Sequence, residues 1–382
     1  MAQTTSTPLA TSTITIGKDG AVLRDGKPFR GIGVNYFNAF ARALENPGDV
    51  SYREGFSELS RRGIPFVRFM ACGFWPINMK LYQEDKEAYF KLMDDVIKTA
   101  EEKNVGLIPS LFWNFSTFPD LMNEPCAQWA NPESKTSAFM RQYVSDVVER
   151  YKNSPAIWAW EFGNEYSLCA DLPDPANHRP PITPQLGSPT TRSEADDMTH
   201  DLIVTACAQF ATEVRKHDPL RPITTGNSLP RPAAAHLRAE RSWTNDSREE
   251  FTKDLAEVTP NPSNLISVHV YPADEIKRFG QEHVSYEEIL LLCMQTAAKE
   301  GKALFVGEFG ASDEDAEGNA ETVMKNNKEM LEALEKTRVP LSALWVFDFS
   351  YHDSSINVTA SNKRAYMLDE LEKANQRMRE AQ

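Results

Sequence analysis

The chain of 382 residues lacks the parts that several common chemistries need. Its five cysteines, Cys72, Cys126, Cys169, Cys207 and Cys293, stand far apart with no C-x-x-C pair. Neither a zinc knuckle nor a dense disulfide framework is indicated; at most two bridges could form, leaving one thiol. The seven histidines are scattered and no H-E-x-x-H occurs, which argues against a metallohydrolase. No G-x-S-x-G elbow exists for a serine hydrolase. "GIGVNY" is without the third glycine of a dinucleotide fingerprint and precedes no helix start. No cofactor and no metal are therefore expected.

Positive charge is also in deficit. Lys and Arg number 41 against 55 Asp and Glu, a net charge of -14, and such a field repels nucleic acid and anionic membranes. No run of 18 apolar residues is present to span a bilayer. The opening "MAQTTSTPLATSTITIG" is rich in Thr and Ser but has neither a basic n-region nor an apolar h-region, so it does not read as a signal peptide. The expected location is secreted or periplasmic if a signal has been removed, and otherwise cytoplasmic. A neutral small molecule or polymer is the expected partner; nothing here bears on oligomeric state.

What is present is apolar material in a regular order. Hydrophobic residues make up 41% and aromatics 10%, enough for a large core. "ITIGKDGAVLRDGKPFRG" alternates around two Asp-Gly turns, which predicts an N-terminal β-hairpin capping the bottom of the main domain. Eight short apolar segments then recur: "FRGIGVN", "PFVRFM", "VGLIPSLFW", "AIWAWEFGNE", "PITTGNS", "LISVHVYP", "ALFVGEFG" and "SALWVFDF". Helix-like stretches separate them, such as "EAYFKLMDDVIKTAEEKNV" with Phe90, Met93 and Ile97 at helical spacing. Strand and helix alternating in this way predict a single α/β domain, a (β/α)₈ TIM barrel spanning 14–382, preceded by a flexible segment over 1–13. An open doubly wound sheet is the competing topology. The Pro-rich residues 171–193 and the irregular stretch over 229–262 predict long loops on the face where such barrels keep their sites.

Polar residues stand where the strands stop: Asn35 and Tyr36, Arg68, Trp113 and Asn114, Asn164 and Glu165, Asn227, His269 and Tyr271, Glu308, and Trp345 with Asp348. One such residue at a strand end can be the start of a surface loop; eight sets of Glu, Asn, His, Tyr, Arg and Trp argue for a site. "WAWEFGNEYSL" raises a further question, because it carries two glutamates four apart. Glu161, inside the strand, is expected in the barrel interior with a buried partner, and Arg68 could be that partner. His269 could be a core histidine, and Trp75, Trp113, Trp129 and Trp243 core aromatics.

"FVRF", "WEFGNE", "VHVYP", "VGEFG" and a Trp near the end of the eighth strand occur in the order found in retaining glycoside hydrolases of the large barrel superfamily that includes the family 5 cellulases and mannanases. The chain resembles that family from about residue 30 to 350. Retention requires a carboxylic acid to protonate the leaving oxygen and a carboxylate about 5 Å away to attack the anomeric carbon. Strands four and seven face each other across a barrel mouth, so Glu165 and Glu308 can meet. The resemblance implies Glu165 as general acid and base, its pKa raised by burial and by the other carboxylate. It implies Glu308 as nucleophile, supported by Arg68 and Tyr271. Asn164 would hold the sugar 2-hydroxyl and His269 would orient Glu165 or a substrate hydroxyl. Tyr36, Trp113, Asn114, Tyr166 and Trp345 would line the cleft, with Trp345 as its floor.

"LFWNFSTFPDL" departs from the common cellulase pattern, which has a histidine near the end of the third strand. It is closer to the mannanase branch, so β-1,4-mannan is the first expectation. A β-1,4-glucanase, an exo-acting β-glycosidase and a transglycosylase share the mechanism and stay open. A non-catalytic sugar-binding barrel would need a lost carboxylate, and both are present.

Overall fold

The eight apolar segments become the eight strands of a closed parallel barrel in the computed structural model, which describes residues 14–272 and 276–381. Before it, β1 (Ile14–Ile16), β2 (Val22–Arg24) and β3 (Lys27–Pro28) form a three-stranded antiparallel sheet turning at the two Asp-Gly pairs. The barrel strands are β4 (Gly31–Asn35), β5 (Phe66–Met70), β6 (Gly106–Phe112), β7 (Trp160–Gly163), β8 (Ile223–Thr224) and β9 (Leu265–Val270). A two-stranded excursion, β10 (Ile276–Arg278) with β11 (Gln281–His283), precedes β12 (Ala303–Phe309) and β13 (Leu341–Leu344), and β13 pairs back onto β4. The expected flexible segment over 1–13 lies outside the described residues.

These strands are buried along their whole length, as strands covered on both faces must be. Ile14 and Val22 of the small sheet pack with Phe66, Ile108, Trp158, Leu265 and Phe305, closing the N-terminal end of the barrel. The helices hold the outside. In Lys86–Lys103 the Asp85 side chain accepts from the Ala88 N–H at the start, and Asn104 ends the helix in the left-handed region at φ 52°. Its buried stripe of Tyr89, Phe90, Met93, Val96, Ile97 and Ala100 faces the strands.

Two long loops rise from the other end. Residues 171–193 carry only short 3₁₀ turns, as their prolines predict. They lean across the mouth: Arg192 donates to both oxygens of Asp120 at 2.6 and 2.8 Å, beyond the third barrel strand, and Gly187 packs on Pro76, beyond the second. The stretch after β8 is less irregular than expected, since Ala234–Glu240 and Arg248–Glu257 are helices. Ser247 and Glu250 form a capping box at the start of the second, a signal that the expectation of loop over 229–262 passed over. All five cysteines are free thiols.

Candidate active site

Arg68 organises the barrel mouth from its centre. It projects from β5 with no exposed surface, and its Nε donates to both oxygens of Glu161 at 2.8 and 2.9 Å. Nη1 reaches Asn35 Oδ1 at 3.0 Å and Glu308 Oε1 at 2.8 Å, and Nη2 reaches Asn164 Oδ1 at 2.8 Å. The guanidinium lies over the Trp113 ring at 4.5 Å. Only the planar fork of arginine serves so many acceptors at once. Its two carboxylates outweigh burial and raise its pKa. Arg68 thus meets both of its expected partners: it pairs with Glu161 inside the barrel and touches Glu308 at its mouth.

Glu308 stands on β12, paired in register with His269 of β9 across a local irregularity. Its second oxygen accepts from the Tyr271 hydroxyl at 2.6 Å. Burial first, then the negative charges of Glu308 and Glu165 and the hydrogen bond to Glu308, keep the phenol protonated far above its usual range.

Glu165 follows β7 with a left-handed backbone, φ 54°, uncommon for a residue with a side chain. Its N–H donates to Gly226 O at 2.9 Å, and the preceding Asn164 N–H to Trp113 O at 3.1 Å, so neighbouring strand ends fix the turn. Gly226 must be glycine: its φ is +71° and a Cβ would fall 1.9 Å from Gly163 O. The His269 Nδ1 lies 2.9 Å from Glu165 Oε1. The Glu165 side chain keeps 30% of its surface exposed against 5% for Glu308, so the first faces the cleft and the second is recessed.

Burial raises the Glu165 pKa, while Arg68, the Ser228 hydroxyl and Arg231 pull it down. The push expected from Glu308 is not among the causes; the strongest charge acting on Glu165 is that of Arg68, which pulls the other way. His269, wholly buried, is pushed down to about 3 by desolvation, so its ring is neutral at ordinary pH.

Glu165, His269 and Glu308 each bring a donor atom within 4.8 Å of the others. These are also the donor types of a cation site, but the fixed charge of Arg68 beside Glu308 already supplies the positive partner. The spacing suits the two carboxyl groups of a retaining glycosidase, about 5–5.5 Å apart, rather than the roughly 6.5–9.5 Å of an inverting pair. The sequence model of the family described as Cellulase, glycosyl hydrolase family 5, matches residues 22–349. The chain belongs to this family.

Among curated relatives, mannan endo-1,4-beta-mannosidase A of Hypocrea jecorina is 30% identical over 181 residues, 41% of this chain and 39% of the relative. Mannan endo-1,4-beta-mannosidase F of Aspergillus fumigatus is 26% identical over 193 residues, 42% of each. The chain thus spans about two-fifths of the length of the curated relatives it matches. The solved endo-1,4-beta-mannanase of Rhizomucor miehei superposes with a TM-score of 0.68 over 97% of this chain and 100% of that one, at 14% identity, which shows a shared fold.

Not every residue expected at the cleft is there. Tyr36 and Tyr166 are corrections: both are buried in the core. Tyr36 donates to Asp348 Oδ2 at 2.7 Å and packs on Phe56 and Phe347, and Tyr166 donates to Phe112 O at 2.7 Å. Tyr36 follows the last residue of β4, and alternation sends it behind the strand, while Tyr166 opens the 3₁₀ turn Tyr166–Cys169 after the left-handed Glu165 and is turned inward there. Asn114 stands at the mouth, but its amide is engaged: the nitrogen donates to Phe74 O in the loop after β5 and the oxygen accepts from the Ser116 N–H of its own turn. Trp113 and Trp345 stack at 6.0 Å, with Trp345 the more open. Trp129 is core, whereas Trp243 is 57% exposed.

Two residues of the site, Ser228 and Phe37, were not expected from sequence, and the strand-end Asn35 was expected there without a stated role. The Asn35 amide joins Gly307 O at 2.9 Å to Arg68, and Ser228 bonds Glu165. Phe37 is wedged edge-on against Trp113 at 4.9 Å. Ser228 stands just past a strand end and could have been found by the rule that gave Asn35; Phe37 could not.

Proposed function

We propose that the chain hydrolyses β-glycosidic bonds in a neutral β-linked polysaccharide, β-1,4-mannan first, by retaining double displacement. The observation that carries this is the meeting of Glu165 and Glu308 within 4.8 Å, with Arg68 and Tyr271 on the second and His269 on the first. Glu308 attacks the anomeric carbon as Glu165 gives its proton to the departing glycosidic oxygen, leaving a glycosyl ester on Glu308. Glu165, now a carboxylate, takes a proton from water, which breaks that ester and releases the sugar with its original configuration. Asn164, its oxygen fixed by Arg68, turns its amide N–H₂ to the 2-hydroxyl, where the contact strengthens as positive charge develops on the ring.

Mannan is preferred because the curated relatives named above are mannan endo-1,4-beta-mannosidases and the third-strand turn carries Trp113 and Asn114 rather than a histidine. The family description, Cellulase, makes β-1,4-glucan the second reading. Incubation with mannan, glucomannan, carboxymethylcellulose and aryl β-glycosides, followed by sizing of the products, separates them. Oligosaccharides from mannan support the proposal. Cleavage of cellulose alone moves the chain to glucan, and monosaccharide alone makes it exo-acting.

A further inference from the structure

Tyr351 is the most exposed large apolar side chain among the described residues, at 82%. It lies in the 3₁₀ turn Ser350–His352 that follows the eighth barrel strand, and its loop is firmly tied. The Phe349 N–H donates to Asn357 Oδ1 at 2.8 Å, and His352 O accepts from the N–H groups of Ser355, Ile356 and Asn357 at 3.0–3.1 Å. The buried Arg364 donates to the carbonyls of Asp353, Ser355 and Asn357, and Arg42 to that of Asp348 at 2.7 Å. An aromatic ring in water on so fixed a loop is arranged for contact, because little freedom is lost when something covers it.

One face of the ring is already used. Phe349 stacks on it at 5.8 Å and 30°, and Phe349 in turn meets Phe37 at 4.8 Å, the residue wedged against Trp113. A second path runs through His352, 5.4 Å from Tyr351 and 6.2 Å from Trp345. The exposed ring is thus the outer end of a continuous aromatic strip that begins beside the catalytic carboxylates.

We infer that the open face of Tyr351 is a stacking platform for a hexopyranose ring of the substrate chain, a distal subsite beyond the sugar resting on Trp345. The apolar C–H face of a neutral pyranose covers an aromatic ring without needing a charged partner. Asp353, on the same loop, would repel a uronate. This rests on the carbohydrate reading above and extends it to how far along the chain the enzyme grips.

The test compares the wild-type protein with Tyr351→Ala and Tyr351→Trp on two substrates: the polymer that the wild type cleaves, whichever β-glycan that proves to be, and a short aryl glycoside of the same sugar. The ratio of kcat/KM on polymer to kcat/KM on the aryl glycoside is expected to fall about tenfold in Tyr351→Ala, through KM, and to return in Tyr351→Trp. An unaltered ratio in Tyr351→Ala overturns the platform. A wild type that cleaves no β-glycan removes the functional reading instead, a different result from a cleaving enzyme indifferent to Tyr351. The thermal midpoint of each variant shows that it is folded.

Discussion

His269 touches both carboxylates: its Nδ1 lies 2.9 Å from Glu165 Oε1 and 3.6 Å from Glu308 Oε2. A charged imidazolium there would hold Glu165 as an anion and spoil it as an acid. Burial prevents this by keeping the ring neutral. In the tautomer that carries its hydrogen on Nδ1, the neutral ring donates to Oε1, leaving Oε2 to carry the proton toward the glycosidic oxygen. The cation in direct contact with the pair is then Arg68, on the side of the nucleophile.

Glu308→Ala should lower kcat by at least about 10⁴-fold, since the attacking group is gone while the fold keeps its other supports. Azide should restore part of the rate and give a glycosyl azide of the opposite anomeric configuration, seen by proton NMR. Near-normal turnover without azide would remove Glu308 from the mechanism.

Ser228→Ala carries a signed test of Glu165 as the acid. The hydroxyl favours the carboxylate form, so its loss should raise the Glu165 pKa further. Glu165 must be protonated for the first step, so the basic limb of the pH–rate profile should move upward by as much as about one pH unit. A limb that stays in place would mean that another group sets it.

How much of this was legible follows the physics of each element. The barrel was readable because eight fully buried strands leave eight unbroken apolar words, and the two glutamates because each ends one of them. Tyr36 and Tyr166 were misplaced because being next to a site residue in sequence says nothing about which side of a strand the ring takes. Phe37 and its contact with Phe349 were invisible for a different reason: a ring contact between the first and eighth strand ends exists only after the barrel closes.

Neutral His269 also marks the stability of the fold with pH. Its pKa is about 3 when folded, against an ordinary value of 6.5 when unfolded, so between these values the unfolded chain binds the extra proton. The stability tied to this ring is present above about pH 6.5 and is lost as pH falls, by roughly 1.4 kcal/mol per pH unit over the window. Urea melts of the wild type and His269→Asn from pH 7 to 5 should therefore converge as pH drops. Parallel curves would show that the imidazole does not gate the acid limb.

The Arg68–Glu161 pair separates structure from chemistry. Neither side chain has any exposed surface, so removing one leaves a buried charge without its partner. Glu161→Ala should cost about 3–5 kcal/mol in urea melts, yet the Arg68 contact to Glu308 survives, so kcat in the folded fraction should fall far less than in Glu308→Ala. Arg68→Lys keeps the charge but not the fork, and one ammonium cannot serve Glu161, Glu308, Asn35 and Asn164 together. It should lose both stability and activity. Replacing both members, Arg68→Met with Glu161→Met, removes the buried pair altogether, and stability should recover toward that of the wild type. Activity should not, because Glu308 then lacks its cation. Recovery of both in the double variant would make Arg68 a structural residue only; recovery of stability alone assigns its charge to the nucleophile.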